Sequence, residues 1–430
     1  MMDWKQIYKS KLVSIEEAAA GIASGDRIWM TPCSGAPIQI VEALADRVNE
    51  LKDVHIVTGL ALHPFKILKS PEYIGRINFH TIFMGPYERA FFKVGNVNVN
   101  SVNFSKTYIA MRDYYKINVL LADVSPPDDE GYLHYGALGA GWNGTAEDQA
   151  EKIIVQVNKH QPKVRGSEHR VHVSKVSHIC EFDHALPPLP QPEPTEIDKK
   201  IAELLAEQIP DSAAIQIGVG GLSNAIGYYL TGKKDLSVYT EMFVDSMLDL
   251  VKKGVVTGKI LAGFGLGSVE LYNFMADERV ELRPVRIIND PNEIAKIDKL
   301  ISINATLMVD LTGQACSESL GFTQYSCCGG QSDFTRGAAL SKGGKGFLCL
   351  PSTIQTKDGK KSSTITAALP PGSVVTTQRS DVMYVVTEYG IADLYCKPIV
   401  ARVNELIAIA HPDFRDGLRK QAIEAGLIRA

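Results

Sequence analysis

Glu241 stands in "VYTEMFVDSMLDL" (238–250), where a strand-like run gives way to an amphipathic helical pattern. Just upstream, "QIGVGGLSN" places Gly218, Gly220 and Gly221 between an apolar strand and a helix. A carboxylate at such a junction can bind a ribose hydroxyl, or sit in a first helical turn because the dipole favours an acid there. The glycine loop reads equally well as a cradle of backbone N–H groups for an anion and as a tight turn. Gly218 and Gly220 fit G-x-G-x-x-G, with Ser223 at the third glycine and Glu241 where the ribose-binding acid would fall. An NAD-dependent oxidoreductase is therefore one reading.

Two more glycine-rich strand exits follow. "GFGLGS" carries Gly263, Gly265, Gly267 and Ser268, and "CCGGQSDFTRGA" carries Gly329, Gly330 and Gln331 with Asp333 and Arg336 beside them. Asn289 opens "NDPNEI" at another strand end. Three glycine loops along one edge suit a long phosphate-bearing ligand with dispersed backbone contacts, such as coenzyme A, better than a single dinucleotide. The pair Cys327 and Cys328 suggests a nucleophile, but small residues filling a tight segment account for it better. The 7 cysteines are scattered and form no C-x-x-C pair. No H-E-x-x-H is present, so no metal site is expected.

The elements that position these loops are legible from patterning. "VHIVTG", "INVLLADVS" and "KIIVQVN" are β-branched strands that read as buried on both faces. After residue 198, "AAIQIG", "LSVYTE", "KILAGF", "RPVRIIN" and "LISINATLMVD" read as strands separated by helices. Repeated βαβ units predict an α/β fold with mostly parallel sheets and ligands at the carboxyl ends of strands. Ser14 and Glu17 form a capping-box pattern, and Gly25 is placed to close that helix.

"HALPPLPQPEPTEID" (184–198) is proline-dense and polar. It divides the chain into an N-terminal α/β domain over 1–186, a linker over 187–198 and a C-terminal α/β domain over 199–430. A length of 430 residues agrees with two domains. A formal charge of -4 argues against nucleic acid. No run reaches the roughly 20 apolar residues of a membrane span, and the start has no signal-peptide pattern. A cytoplasmic protein is expected.

The segments "QIGVGGLSNAI", "VYTEMFVDSMLDL", "GGQSDFTRGA", "VVTEYGIADL", "GAPIQIVEAL" and "VSPPDDEGYLHYG" resemble family I CoA-transferases. They are most similar to the acetyl-CoA hydrolase/transferase branch, with its 4-hydroxybutyrate and butyryl-CoA:acetate CoA-transferases, and the likeness covers nearly the whole chain. The resemblance implies two related α/β domains with the active site between them, in a homo-oligomer. It implies Glu241 as nucleophile, backbone amides of Val219 and Gly330 as oxyanion hole, and Asn289 orienting the glutamyl thioester. Coenzyme A is implied as substrate and covalent intermediate, with acyl-CoA and carboxylate as partners and no permanently bound cofactor. Its contacts are expected along Gly218, Gly220, Gly221, Gly263, Gly265, Gly267, Ser268, Gly329 and Gln331. The chain departs at Ser223, where relatives often carry proline. It also departs around "LALHPFKILKSPEY" and "ALGAGWNG", so the acyl group is not specified. Thioester hydrolysis, or coenzyme A binding without turnover, is the alternative on this scaffold.

Overall fold

The computed structural model describes residues 3–189, 192–218, 220–356 and 358–429. The chain forms two compact units. The first takes residues 1–190, 241–244 and 259–288; the second takes 191–240, 245–258 and 289–430.

The first sheet has seven strands: β1 (Arg27–Met30), β2 (Val54–Thr58), β3 (Ile77–Thr81), β4 (Val97–Val99), β5 (Val119–Val124), β6 (Lys152–Val157) and β7 (His178–Glu181). Their order is β4-β3-β2-β1-β5-β6-β7, and every pairing is parallel. The apolar runs dictate this. All six residues of β5 are buried, which only a parallel sheet covered on both faces allows. The predicted capping box holds: Ser14 Oγ accepts from Glu17 N–H at 3.1 Å, and Glu17 returns the bond to Ser14 N–H at 2.8 Å. That helix ends at Ala20 with Gly21 as its cap, so Gly25 serves instead in the turn that enters β1, at φ +87°.

The second sheet has eight strands: β8 (Ala214–Ile217), β9 (Leu236–Phe243), β10 (Val256–Gly265), β11 (Val280–Leu282), β12 (Leu300–Ala305), β13 (Lys345–Cys349), β14 (Tyr384–Thr387) and β15 (Gly390–Asp393). Their order is β11-β10-β9-β8-β12-β13-β14-β15. The first four strands run outward one way and the fifth returns to the far side of the first, as in the first sheet. The two halves thus share a topology, with order reversal at β1/β5 and at β8/β12. Ligands of open α/β sheets bind at such switch points. Only the closing β14–β15 hairpin is antiparallel among the pairs described for this sheet. β9 passes from the second unit into the first after Thr240, and β10 does so after Gly258.

One predicted strand is different. "RPVRIIN" contains a short helix, Val285–Ile288, after the brief strand β11. Pro284 has no N–H to give a ladder, and its carbonyl instead accepts from Ile287 and Ile288 N–H. Among the described residues, no helix is long and apolar enough to cross a membrane.

At the carboxyl edge of the first sheet, Glu88 is fully buried at the start of the helix Pro86–Phe91. Its Oε1 accepts from Ala61 N–H at 2.8 Å and from Thr81 Oγ1 at 3.4 Å, and its Oε2 accepts from Gly85 N–H at 2.9 Å. Burial outweighs these bonds and the nearby Arg89, raising the carboxyl from 4.5 to about 7. The sign follows from linkage: between those values the unfolded chain releases a proton that the fold retains, so this group's contribution to stability falls as pH rises. Urea unfolding of wild type and Glu88→Gln at pH 5 and pH 8 should therefore differ in pH dependence, wild type losing on the order of 3 kcal/mol more. A difference independent of pH would show that Glu88 ionises normally.

Candidate active site

Glu241 is the sixth of the eight residues of β9, near its carboxyl end and half-buried. The strand continues through Phe243, and the helix begins only at Asp245. The acid therefore belongs to the sheet and not to the helical first turn that the dipole reading requires. Gly263 of β10 lies against it. A β-carbon at 263 would stand 2.8 Å from the Glu241 carbonyl oxygen and 3.1 Å from Val285 Cγ2, closer than real side chains approach. Leu266 N–H donates to the Phe243 carbonyl at 3.0 Å, and Phe243 stacks on Phe274 with centroids 5.8 Å apart. Gly265 is needed for a similar reason, since a β-carbon there would lie 2.4 Å from Met275 Sδ. Ser268 caps the helix Val269–Phe274 through Leu271 N–H, and the Gly267 carbonyl accepts from Leu189 N–H. Packing alone thus accounts for glycine at 263 and 265.

In the second unit, Gly218 N–H donates to the Ile303 carbonyl at 2.9 Å, which sets the glycine loop at the β8/β12 switch point. Gly220 has φ +116°, a conformation L side chains rarely adopt, and starts the helix Gly221–Tyr229 with no side-chain cap. A β-carbon on Gly221 would lie 2.9 Å from Asp198 Oδ2. Val219 lies outside the described residues. Ser223 is buried, and its hydroxyl bonds that of Ser246 at 2.9 Å. It is therefore part of helix–helix packing, where the dinucleotide fingerprint would need a bare glycine.

The third loop resembles the first. Gly329 has φ +58°, and Gly330 opens the helix Gln331–Leu340, again with no side-chain cap. That helix leads into β13, parallel to β12, so its N-terminus faces the same carboxyl edge as Gly218. Gln331 is committed to the fold: it accepts from Ser317 Oγ at 2.9 Å and donates to Thr377 Oγ1 at 3.0 Å. Arg336 pairs with Asp381 at 2.7 Å, and Asp333 is buried. Cys327 is buried in the turn before the glycines, and no disulfide is formed among the described residues. Asn289 is fully buried beyond the Val285–Ile288 helix, beside Asp290, which caps the next one.

Patterning missed a polar network under the glycine loop. Ser302 Oγ donates to Gln216 Oε1 at 2.6 Å, and Asn304 and Gln216 exchange amide bonds at 3.2 Å. The signal was present: three polar residues at alternate positions of strands otherwise fully apolar. It also missed a chain of rings in the first unit. Phe83 meets Phe104 at 5.9 Å, Phe104 meets Trp142 at 5.1 Å, and Trp142 meets Phe264 at 5.6 Å.

Two family models match the chain: the acetyl-CoA hydrolase/transferase N-terminal domain over residues 1–189 and the C-terminal domain over residues 267–422. The chain belongs to the acetyl-CoA hydrolase/transferase family. A succinyl-CoA:cyclohexane-1-carboxylate CoA transferase of Geobacter metallireducens is 39% identical, covering 97% of this chain and 96% of its own. A 4-hydroxybutyrate coenzyme A transferase of Clostridium kluyveri is 37% identical, covering 98% and 99%. The crystal structure of RipA from Yersinia pestis superposes with TM-score 0.93 at 33% identity, covering 99% of this chain and 100% of that one. The chain is thus a CoA-transferase by family, and its α/β architecture is the family's.

The Gly263 contact gives a direct test. Gly263→Ala should displace the Glu241 main chain, destabilising the protein by about 1–3 kcal/mol and lowering CoA transfer by about 10- to 100-fold. Gly254→Ala is the control. That residue has φ +70° with nothing within 4 Å, so the change should cost about 1 kcal/mol in stability and leave transfer intact. Equal activity loss in both variants would show that stability, not position, is being measured.

Proposed function

We propose that this chain transfers coenzyme A between a short-chain acyl-CoA (acetyl-, butyryl- or 4-hydroxybutyryl-CoA) and a carboxylic acid, with Glu241 as the covalent carrier, in a cytoplasmic homo-oligomer. The observation that carries the reading is Glu241 itself. In a chain of this family, it is a half-buried carboxylate near the carboxyl end of a strand, with glycine on the neighbouring strand beside its main chain.

The chemistry balances without ATP, because one thioester replaces another. A carboxylate oxygen of Glu241 attacks the acyl-CoA carbonyl, the C–S bond breaks, and CoA leaves as thiolate from a mixed anhydride. The thiolate then attacks the glutamyl carbonyl, releasing the first acid and leaving CoA on Glu241. A second carboxylate reverses both steps and departs as its CoA ester. Each attack passes through a tetrahedral oxyanion. The backbone amides of Val219 and Gly330 are assigned to hold it, each worth about 3 kcal/mol on the scale of oxyanion-hole donors. Gly330 supports this assignment by opening a helix with no side-chain cap. Asn289 is assigned to orient the thioester. Gly218, Gly220, Gly221, Gly263, Gly265, Gly267, Ser268, Gly329 and Gln331 are assigned to line the coenzyme A path, the first three and Gly329 through main-chain groups.

A second reading follows from the family's own description, which spans hydrolysis and transfer. Water in place of the second acid would make the same intermediate a hydrolase. Release of free thiol with no new CoA ester in the presence of carboxylates would favour it.

Incubation with acyl-CoA alone should load CoA onto Glu241, since the first half-reaction needs no acceptor. Borohydride should then reduce the thioester, and peptide mapping should find the change within residues 238–250. Glu241→Gln should lower transfer by several orders of magnitude while CoA esters still raise the melting temperature; NADH should not raise it. Modification of a peptide containing Cys327 or Cys328 instead, or near-normal transfer by Glu241→Gln, would refute the assignment.

A further inference from the structure

A buried polar cluster that the thioester chemistry does not use stands at the carboxyl edge of the first sheet. Asp123 of β5 and Gln156 of β6 are register partners, and both are fully buried. Gln39 N–H donates to Gln156 Oε1 at 3.2 Å, which turns the Gln156 NH2 toward Asp123, and that NH2 donates to Asp123 Oδ2 at 2.7 Å. The same oxygen meets His184 Nε2 at 2.6 Å. The other ring nitrogen, Nδ1, lies 3.1 Å from the Ala185 carbonyl, which can act as acceptor alone. With acceptors at both nitrogens, His184 is held as an imidazolium. Burial disfavours that charge, but the bond and the charge of Asp123 outweigh it and raise the imidazole above its ordinary 6.5.

His184 opens a proline-dense strap, 184–189, that is tied down along its length within the first unit. Asn158, fully buried, donates from Nδ2 to the His184 carbonyl at 3.0 Å. Leu186 is buried, the Pro187 carbonyl accepts from the Tyr272 hydroxyl at 2.8 Å, and Leu189 N–H donates to the Gly267 carbonyl at 3.0 Å. Pro187 and Pro188 restrict the backbone between these ties. The strap thus runs from the carboxyl edge of the first sheet to the loop after β10. On its other side that loop is tied to the Glu241 strand, since Leu266 N–H donates to the carbonyl of Phe243, two residues beyond Glu241. The buried ion pair and the Glu241 segment therefore hold the two sides of one loop, 266–268.

We propose that His184 is a positioning residue for coenzyme A binding. Paired with Asp123, it anchors the strap, and the strap fixes loop 266–268, whose Gly267 and Ser268 are assigned to the coenzyme A path. This rests on the CoA-transferase reading for its ligand consequence, while the anchor itself stands on geometry. The loop would meet the part of the ligand common to all substrates, so its displacement should weaken every acyl-CoA alike and leave the choice of acid unchanged.

The test separates the two. In His184→Gln a donor survives and the charge is lost. KM for acetyl-CoA and for butyryl-CoA should rise together by about tenfold, while loading of Glu241 at saturating acyl-CoA stays within about threefold. Exchange of the Leu189 amide, read by hydrogen exchange and mass spectrometry, should quicken by at least about tenfold. In protein labelled with 15N-histidine, an imidazole with both nitrogens protonated at about pH 7.5 should be present in wild type and missing from His184→Gln. Tyr272→Phe removes the hydroxyl on the Pro187 carbonyl without touching the ion pair. It should raise both KM values in the same uniform way, and it carries the affinity arm if His184→Gln does not fold. Unchanged KM in both variants overturns the role. So does a rise for one acyl-CoA alone, or a fall in kcat with KM intact, which marks a general loss of structure. A neutral His184 in wild type overturns the charged anchor. If wild type forms no new CoA ester with any acid, the CoA-transferase reading fails, and the exchange and nitrogen measurements still decide whether His184 anchors the strap.

Discussion

A strand that passes in contact with the main chain of a reactive residue can carry no side chain at that point. Gly263 meets this condition beside Glu241, and the arrangement of β10 follows from it. Residues 263 and 265 share a face of the strand, and side chains at either would collide with the Glu241 carbonyl, Val285 or Met275. Residue 264 turns to the opposite face, where Phe264 packs on Trp142. One strand therefore does two things at once: its bare face admits the Glu241 main chain, and its other face carries Phe264 against Trp142. The position of Glu241 is set by main-chain contact. Main-chain contact is less adjustable than side-chain packing, and that suits a group whose attack must be aligned to a fraction of an ångström.

The two sheets repeat one strand order, yet their exits have diverged in physical kind. At the second sheet's edge the turns are made of glycines that open helices without caps, leaving peptide N–H groups directed outward. At the first sheet's edge the turns contain Cys33 and Leu60, held in left-handed conformations around a buried carboxylate. The first kind offers donors to any oxyanion or phosphate. The second presents side chains, with the Leu60, Ala61 and Gly85 amides taken up inside the fold. The two copies of one topology thus differ in their loops, which is where function resides when it is grafted on a common fold.

Legibility in the sequence follows the same division. Buried parallel strands, the Ser14 capping box and the three glycine loops could all be read, because each depends on local pattern: β-branched runs, a cap three residues from its partner, glycine where a strand ends. Three things could not. Val285–Ile288 looked like strand because three of its four residues are β-branched, and Pro284 decided otherwise by withholding an N–H. Glu241 looked like a helix-entry residue because the apolar period changes there, yet pairing carries β9 two residues further. Gln216 lies on one strand and Ser302 and Asn304 alternate along another, far apart in sequence, so their polar character shows locally but their partnership does not. Only the adjacency of β8 and β12 makes them a network.

The acyl end was least legible, for a reason built into how it is made. The steps of thioester exchange need one carboxylate and some peptide amides, and both leave marks in sequence: an acid at a fixed place and glycines around it. Recognition of an acyl chain needs surface, which side chains from separate stretches can assemble, as Phe83, Phe104, Trp142 and Phe264 assemble a ring series here. No spacing rule links them, and each alone is an ordinary core aromatic or aliphatic residue. Relatives of nearly equal identity, named for a ring acid and for a four-carbon hydroxy acid, fit this account. The turn after β2 tolerates little alteration in what holds it, because Leu60, a residue other than glycine, stands there at φ +47°. Glu88 fixes the turns at the edge of the first sheet as Gly263 fixes the main chain beside Glu241, one through a buried carboxyl group and the other through a missing side chain.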